Sequence, residues 1–391
     1  MKALYISSKP AYPKVDGGCV ASANFIDNLL KANIDVEYLT ISTNKHPFDL
    51  EEFPDSIKDK IQPKTVKVFT AVRPLEAFKY LFKKKSYNID RFYDERFTEL
   101  IIERLSAADF DIVVLDSLYA TPYLQDIRKY FSGKVFVRTH NVEFKIWEDL
   151  AQNERKAVKA KYLNRLAKDL KKYEIATLNQ VDGILSLSED DLAIFKGLAI
   201  NTKMITIPVT VEVSESEHDY SISTLFHLGA MNWQPNIEAV EYMIEMLPNI
   251  RQKIEDMEFR IAGIYAENEF DSSKEEGIVV EGFVEDLNAF IASAGILTTP
   301  IKSGSGVRIK ILEMMAAGVP VITTNLGAQG LFNLDSVSIA DSKKDFVASV
   351  YELANDENKR RELGMNAKSY INLHHNPEKV TKQLVEFIES I

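Results

Sequence analysis

The sequence predicts an α/β protein made of two doubly wound parallel sheets. Short apolar, β-branched runs alternate with longer amphipathic stretches along nearly the whole chain. That alternation is the mark of βαβ units and a mostly parallel sheet. It pauses once, over the polar stretch 210–223 (TVEVSESEHDYSIS), which has no helical period and reads as a linker or surface loop. The length, 391 residues, leaves room for two or three domains at about 150 residues each. Sheets of this kind bind ligands beyond the carboxyl ends of their strands. Two of them facing a central cleft can hold two substrates, which suits a transferase, an epimerase or a periplasmic-type binding protein.

In the first series, KALYIS (2–7) reads as a strand and the segment from Val20 to Lys31 as a helix. DVEYLTI (35–41), TVKVFTA (65–71), DIVVLD (111–116), KVFVRTH (134–140) and DGILSLS (182–188) are further strands, with helical patterns such as TPYLQDIRKYF between them. These define an N-terminal domain over residues 1–209. The second series is TLFHLGA (224–230), MEFRIAGI (257–264), GIVVEGF (277–283), GILTTPI (295–301) and VPVITTN (319–325), with helical stretches such as 236–254 between them. They define a C-terminal domain over residues 210–376. Residues 377–391, PEKVTKQLVEFIESI, form an amphipathic helix placed to pack back on the first domain.

Charge and composition narrow the function. Lys and Arg number 47 against 58 Asp and Glu, a formal charge of −11. A protein that coats nucleic acid needs a positive field along the phosphates, so that class is disfavoured. The lone cysteine, Cys19, forms neither an intramolecular disulfide nor a Cys-rich zinc site. The N-terminus lacks the long apolar stretch and small-residue cleavage site of a signal peptide. The longest uncharged run, 314–334, is broken by Gly318, Pro320, Asn325, Gly327 and Gly330, so no membrane-spanning helix is expected. A reducing, cytoplasmic setting fits these features and is the expectation.

The segment with the most chemistry is PIKSGSGVRIKILEMMAAGVPVITTNLGAQGL (300–331). It reads strand end, glycine loop, helix, glycine, strand. Ser303, Gly304, Ser305, Gly306 and Val307 let backbone amides approach an anion closely, and a helix N-terminus favours negative charge. Arg308 and Lys310, at or just before the first turn, oppose the helix dipole. A bound diphosphate would reverse that cost. Glu313, one to two turns in, is placed to accept hydrogen bonds from ribose hydroxyls. The plainer alternative is an αβ connection whose Arg and Lys are solvated.

This segment resembles the donor-nucleotide motif of family 4 glycosyltransferases, which have the GT-B fold of two Rossmann-like domains. There a Glu, seven residues and a second Glu precede a Met-Ala-x-Gly-x-Pro-Val-like stretch. Glu313 matches the second Glu, and Met315, Ala316, Gly318, Pro320 and Val321 follow in register. The first Glu is replaced by Ser305, a departure at the position that meets the donor sugar's hydroxyls. The resemblance continues elsewhere. GGCVASANF from Gly17 is similar to the family's N-terminal glycine turn, where Gly17 and Gly18 would face the donor phosphates. VRTHNVEF (137–144) carries His140 and Asn141 at a strand end facing the cleft. Gly229 and Asn232 lie in the segment that carries basic diphosphate ligands in many members. Here no cation follows Gly229 until Arg251, and Arg308 and Lys310 are the expected substitutes. Gly282 and Phe283 precede a loop that frames the nucleobase in the family.

The resemblance implies transfer of a sugar from a UDP- or GDP-sugar to a hydroxyl of a glycan or lipid-linked acceptor. It implies retention of configuration, in surface polysaccharide or glycoconjugate synthesis. It assigns His140, Arg308 and Lys310 catalytic roles and makes the nucleotide sugar a substrate, with no cofactor. The one DxD pair, Asp109 and Asp111, enters a strand and reads as structural, so no metal is expected. An epimerase of the same architecture and a non-catalytic nucleotide-sugar-binding protein are the rival readings. Residues 155–172 hold eight basic side chains and one acid. They suggest a basic helix face that touches anionic membrane at the inner leaflet, or one that is simply solvated. Lys83, Lys84 and Lys85, beside Phe78, Tyr80, Leu81 and Phe82, suggest a second contact.

Overall fold

Strand periodicity sorts the first sheet's side chains into two cores. Along β1 (Lys2–Ser7), Ala3 and Tyr5 enter one apolar cluster while Leu4 and Ile6 enter another, because successive side chains point to opposite faces. The same division runs through β4 (Ile112–Asp116), where Ile112 and Val114 join Tyr5 and Val113 and Leu115 join Leu4. These strands are buried on both faces, which is why they read as continuous apolar runs.

We describe a computed structural model, which covers residues 1–73, 80, 86–215, 217–273, 276–304 and 306–391. The chain divides into two units, Met1–Val209 with Val380–Ile391, and Thr210–Lys379. The first unit adds β2 (Asp35–Ser42), β3 (Lys64–Lys67), β5 (Lys134–Thr139), β6 (Gly183–Ser186) and β7 (Lys203–Thr206). Its sheet is parallel, in the order β3-β2-β1-β4-β5-β6-β7. Its longer described helices are α1 (Gly17–Lys31), α2 (Asp55–Ile61), α3 (Glu95–Ala107), α4 (Leu124–Tyr130), α5 (Glu143–Asn153), α6 (Ala157–Leu178) and α7 (Glu189–Lys196).

The second unit holds β8 (Leu225–Leu228), β9 (Phe259–Ala262), β10 (Ile278–Gly282), β11 (Ile296–Thr299), β12 (Val321–Thr323) and β13 (Ser338–Ile339). They form a second parallel sheet, ordered β10-β9-β8-β11-β12-β13. Around it lie α8 (Gln234–Arg251), α9 (Leu287–Ala292), α10 (Ile309–Ala316), α11 (Lys343–Asn355) and α12 (Glu357–His374). The last helix, α13 (Pro377–Glu389), places Val380, Leu384 and Ile388 in the first unit's core beside Phe136 and Leu185. Gly183 makes room there, since a Cβ at that position would lie 3.1 Å from the Phe387 ring.

The sequence reading overran several strands at their carboxyl ends. TVKVFTA ends at Lys67, TLFHLGA at Leu228 and GILTTPI at Thr299. The residues beyond are apolar or β-branched yet form the loops where each chain leaves its sheet. Strands β7 and β13 were not expected, being short runs on edges. Helix α1 starts at Gly17 rather than Val20, because Asp16 caps it by accepting from the Cys19 amide at 2.9 Å. Gly17 and Gly18 are therefore first-turn helical residues and not a turn ahead of the helix.

Candidate active site

In each sheet the strand order reverses once, between β1 and β4 and between β8 and β11. The crevice outside the carboxyl ends at such a reversal is where doubly wound sheets bind ligands.

In the second unit, Gly229 follows the last residue of β8, and Gly263 beyond β9 has φ +127°. A Cβ on Gly263 would run into the Gly229 carbonyl, so only glycine allows these two strand ends to approach. The Gly263 amide donates to the Gly282 carbonyl at 2.7 Å, which ties the end of β10 to the same place. Asn232 and Phe283 are exposed beside these glycines. After β11 the chain runs through Ser303, Gly304 (φ +90°) and Gly306 (φ +87°) before α10 begins. Ser305 lies outside the described residues. The two loops meet at Trp233, the N-cap of α8. A Cβ on Gly304 would sit 3.3 Å from its indole, and the Arg308 guanidinium lies 5.5 Å from the ring centroid. Arg308 Nη1 also donates to the Gly306 carbonyl at 2.7 Å. Val307 packs where Gly330, at φ +89°, has no side chain.

The electrostatics of this corner favour an anion. Arg308 is the N-cap of α10 and gives it no side-chain acceptor, and the first turn contains no acid. The first-turn amides and the positive end of the helix dipole thus receive neither a side-chain cap from Arg308 nor a first-turn acid. Burial pulls the Arg308 guanidinium down to about 10, so the charged form is penalised as it stands. Lys310 Nζ lies 2.8 Å from Glu313 Oε2. The sequence reading gave these two separate partners, whereas here they pair with each other across one turn. Such a half-exposed pair is worth only about 0.3–0.5 kcal/mol, so a ligand can displace it.

In the first unit, residues at or near the carboxyl ends of the strands form a polar row across the sheet. Thr40, Ser7, Asp116 and Arg138 are consecutive partners in register. Ser7 Oγ donates to Thr40 Oγ1 at 2.9 Å. Asp116 Oδ1 lies 2.8 Å from both Arg138 Nη1 and His140 Nε2, and Ser22 Oγ of α1 donates to Oδ2. Burial alone would raise the Asp116 carboxyl. The neighbouring His140 and Arg138 and the Ser22 bond outweigh it and hold the group well below the usual carboxylate range. His140 thus stands just beyond β5 on an ionic base, with Asn141 following it.

A second buried group supports the same edge. Glu174 of α6 accepts from the amides of Glu143 and Phe144 at 3.2 and 3.1 Å, capping α5 from a distance. Tyr119 Oη donates to Glu143 Oε2 at 2.8 Å. Burial raises Glu143 to about 7 and Glu174 to about 8, the latter helped by the neighbouring Glu143 charge.

Gly18 abuts Lys9, whose ammonium lies 2.6 Å from Asp16 Oδ1, and His46 Nε2 lies 2.9 Å from Oδ2. Asp16, Cys19 and His46 bring metal-ligand-type atoms within 4.8 Å of one another. Lys9 already supplies the cation there, and burial pushes the Cys19 thiol up to about 12, keeping it protonated. Asp111 accepts from the Lys2 amide at 2.6 Å ahead of β4, at the strand's amino end, so the DxD pair is remote from this edge.

Sequence reasoning singled out the glycine loop, Arg308 and His140 as candidates. It passed over Asp116, Arg138, Glu143, Glu174 and Trp233. The signal for the first two was a charged residue at the end of an otherwise apolar strand.

Residues 222–356 match the family model described as Glycosyl transferases group 1. An uncharacterized 44.6 kDa protein in the cps region of Klebsiella pneumoniae is 22% identical over 286 residues, covering 69% of this chain and 72% of that protein. Sucrose-phosphate synthase from Thermosynechococcus elongatus has a similar structure, with a TM-score of 0.70 and 14% identity, over 100% of this chain and 99% of that one. Anabaena HepE in complex with UDP and glucose matches with a TM-score of 0.67 and 12% identity, over 100% of both chains. At such identities the structural likeness establishes the fold, and the family match establishes the domain. The chain therefore has the GT-B fold and carries a Glycosyl transferases group 1 domain over residues 222–356.

Proposed function

We propose that this glycosyltransferase moves a sugar from a UDP- or GDP-sugar to a hydroxyl of a glycan or lipid-linked saccharide in surface polysaccharide synthesis. The observation that carries the reading is the start of α10, which its N-cap Arg308 leaves without a side-chain cap, with that half-buried guanidinium held over the glycine loop on Trp233. A diphosphate there meets orphan amides, a helix dipole and a guanidinium, and it removes the penalty on that buried cation. Glu313 takes the ribose hydroxyls, Lys310 follows the phosphates, and Gly282 and Phe283 border the base. His140 acts on the transferred sugar. The Klebsiella relative's place in a cps region supports a role in surface polysaccharide, and HepE's complex with UDP and glucose supports a UDP-sugar donor.

Transfer proceeds with retention by attack on the leaving-group side, and a diphosphate oxygen takes the acceptor's proton. The preorganised amides and Arg308 stabilise the departing diphosphate. A metal is not required in this scheme, so activity survives EDTA. The test is a screen of nucleotide sugars against glycan and lipid-linked acceptors, read by mass spectrometry. A glycosylated acceptor and free nucleoside diphosphate support transfer. Isomerised donor without acceptor consumption identifies an epimerase, and binding without turnover a non-catalytic protein; either overturns the proposal.

We also place the protein against anionic membrane at the cytoplasmic face. Lys161, Arg165, Lys168 and Lys172 are exposed along α6, while Leu166 and Leu170 of the same helix are buried. Arg165, Lys168, Lys171 and Lys172 line a groove of about 350 Å³ together with Asp169 and Ile175. Arg165 and Lys159 are paired with Asp169 and Glu154, which reduces the free charge without cancelling it. No helix among the described residues is long and apolar enough to cross a membrane. Of the second basic cluster, Phe78, Leu81, Phe82, Lys83, Lys84 and Lys85 lie outside the described residues.

A further inference from the structure

We propose that Asp116 is a positioning residue that fixes the tautomer of His140. It keeps the ring proton on Nε2 and leaves Nδ1 as the atom offered to the sugar. The inference rests on the reading of His140 given above, and its geometry stands apart from that reading.

Two groups compete for His140 Nε2. Asp116 Oδ1 lies 2.8 Å from it and Arg138 Nη1 lies 2.9 Å from it. Guanidinium nitrogens only donate and an ionised carboxylate only accepts. If Arg138 were the partner, Nε2 would carry the lone pair and the proton would sit on Nδ1. The Asp116 anion would then face that lone pair at 2.8 Å, buried where repulsion is poorly screened. If Asp116 is the partner, Nε2–H donates a charge-assisted bond to Oδ1. Arg138 then gives up its contact with Nε2 but keeps the same carboxylate oxygen, which lies 2.8 Å from its Nη1. The carboxylate therefore decides the tautomer, and Arg138 makes a buried carboxylate tolerable.

The surroundings keep Asp116 in place. It is the last residue of β4, in register between Ser7 and Arg138. It is 2% exposed, and Arg138 1%. Ser22 holds its other oxygen, Arg138 Nη2 donates to the Ala21 carbonyl at 3.1 Å, and the guanidinium stacks 4.8 Å over the Phe25 ring. Three α1 residues thus aim one carboxylate at one ring nitrogen. Nδ1 of His140 has no hydrogen-bond partner among the described residues, so it remains available as an acceptor for a sugar hydroxyl.

The experiment uses the full chain labelled with ¹⁵N-histidine, read by long-range ¹H–¹⁵N correlation at a pH where the ring is neutral. The wild type is expected to show the His140 proton on Nε2, identified by loss of the signal in His140→Ala. Asp116→Asn can present an amide N–H to Nε2, so the proton should move to Nδ1 or divide between the two nitrogens. That variant leaves the Arg138 charge buried without its carboxylate. Asp116→Asn/Arg138→Gln removes both charges together and is the second test should the first fail to fold. In either folded variant kcat should fall about tenfold to a hundredfold, the loss of one charge-assisted bond, with the donor Kd unchanged. A wild-type proton on Nδ1 overturns the proposal without reference to activity. So does an Nε2 proton that persists in a folded variant, or an unchanged kcat once it has moved. Full transfer activity in His140→Ala overturns the catalytic role of His140 instead, and the two failures are told apart by the NMR signal.

Discussion

Replacing Arg308 with Met should separate ligand binding from stability in opposite senses. In the protein without ligand, the guanidinium is lowered from its ordinary 12.5 to about 10 by burial. That is a penalty of about 3 kcal/mol on the charged form. Against it stand its contacts, which include the stacking on Trp233, worth roughly 0.5–1 kcal/mol, and the bond to the Gly306 carbonyl, worth about 1 kcal/mol. Met keeps most of the apolar stem and drops the charge. The ligand-free variant should therefore melt within a few degrees of the wild type, or slightly above it. A diphosphate bonded to Arg308 loses a charge-assisted interaction of about 1.5–3 kcal/mol, a 10- to 150-fold weakening. Titration calorimetry with UDP, GDP, uridine and guanosine is the assay. The diphosphate should lose affinity and the matching nucleoside should not. Equal losses for the two would refute the phosphate role. A large drop in the melting temperature without ligand would show that Arg308 is held for structure.

Glu313→Gln should weaken nucleotide and nucleoside alike by about 1.5–3 kcal/mol with little change in melting temperature, because its Lys310 pair is half-exposed; unaltered affinity for both removes it from the site. Glu174→Gln should change the pH dependence of stability. The unfolded carboxyl releases its proton near the ordinary value of 4.5 while the folded one holds it to about 8. Stability is therefore fully present at low pH, falls as pH rises across that window, and levels off above it. The Gln variant should be about 1 kcal/mol less stable at pH 5, where it loses an acceptor, and more stable than the wild type at pH 8. Parallel denaturation curves at the two pH values would discard the buried-carboxyl account. Sedimentation with anionic liposomes should recover the protein at low salt and lose it at high salt. Equal binding to neutral liposomes would show that the α6 face is no electrostatic anchor.

Much of the fold was legible because strands buried on both faces leave unbroken apolar runs, as in DIVVLD and KVFVRTH. The glycine loop was legible because positive φ at Gly304 and Gly306 demands a residue type that shows in the sequence. The support beneath His140 was not. Asp116 and Arg138 are 22 positions apart and become neighbours only through strand register, which no local pattern encodes. Glu174 was hidden for a similar reason. It sits mid-helix among lysines and reads as surface charge, yet it turns inward to cap a different helix. The Lys310–Glu313 pair was readable as an i,i+3 spacing, but the argument from ligand chemistry assigned the two residues elsewhere.

The first unit takes its last strand near Thr206 and its covering helix from Val380 onward, with the whole of Thr210–Lys379 in between. On a ribosome this fixes a sequence in time. The face of the sheet bearing Phe136 and Leu185 is synthesised early but receives Val380, Leu384 and Ile388 only after the entire second unit has emerged. At ordinary elongation rates that delay is roughly 10–30 s, far longer than hydrophobic collapse takes. The second unit is contiguous and can close on itself during that interval, while the half made first is the half finished last. For those seconds a strip of apolar sheet is open to chaperones and to other nascent chains, and a truncation before Val380 would leave it open permanently.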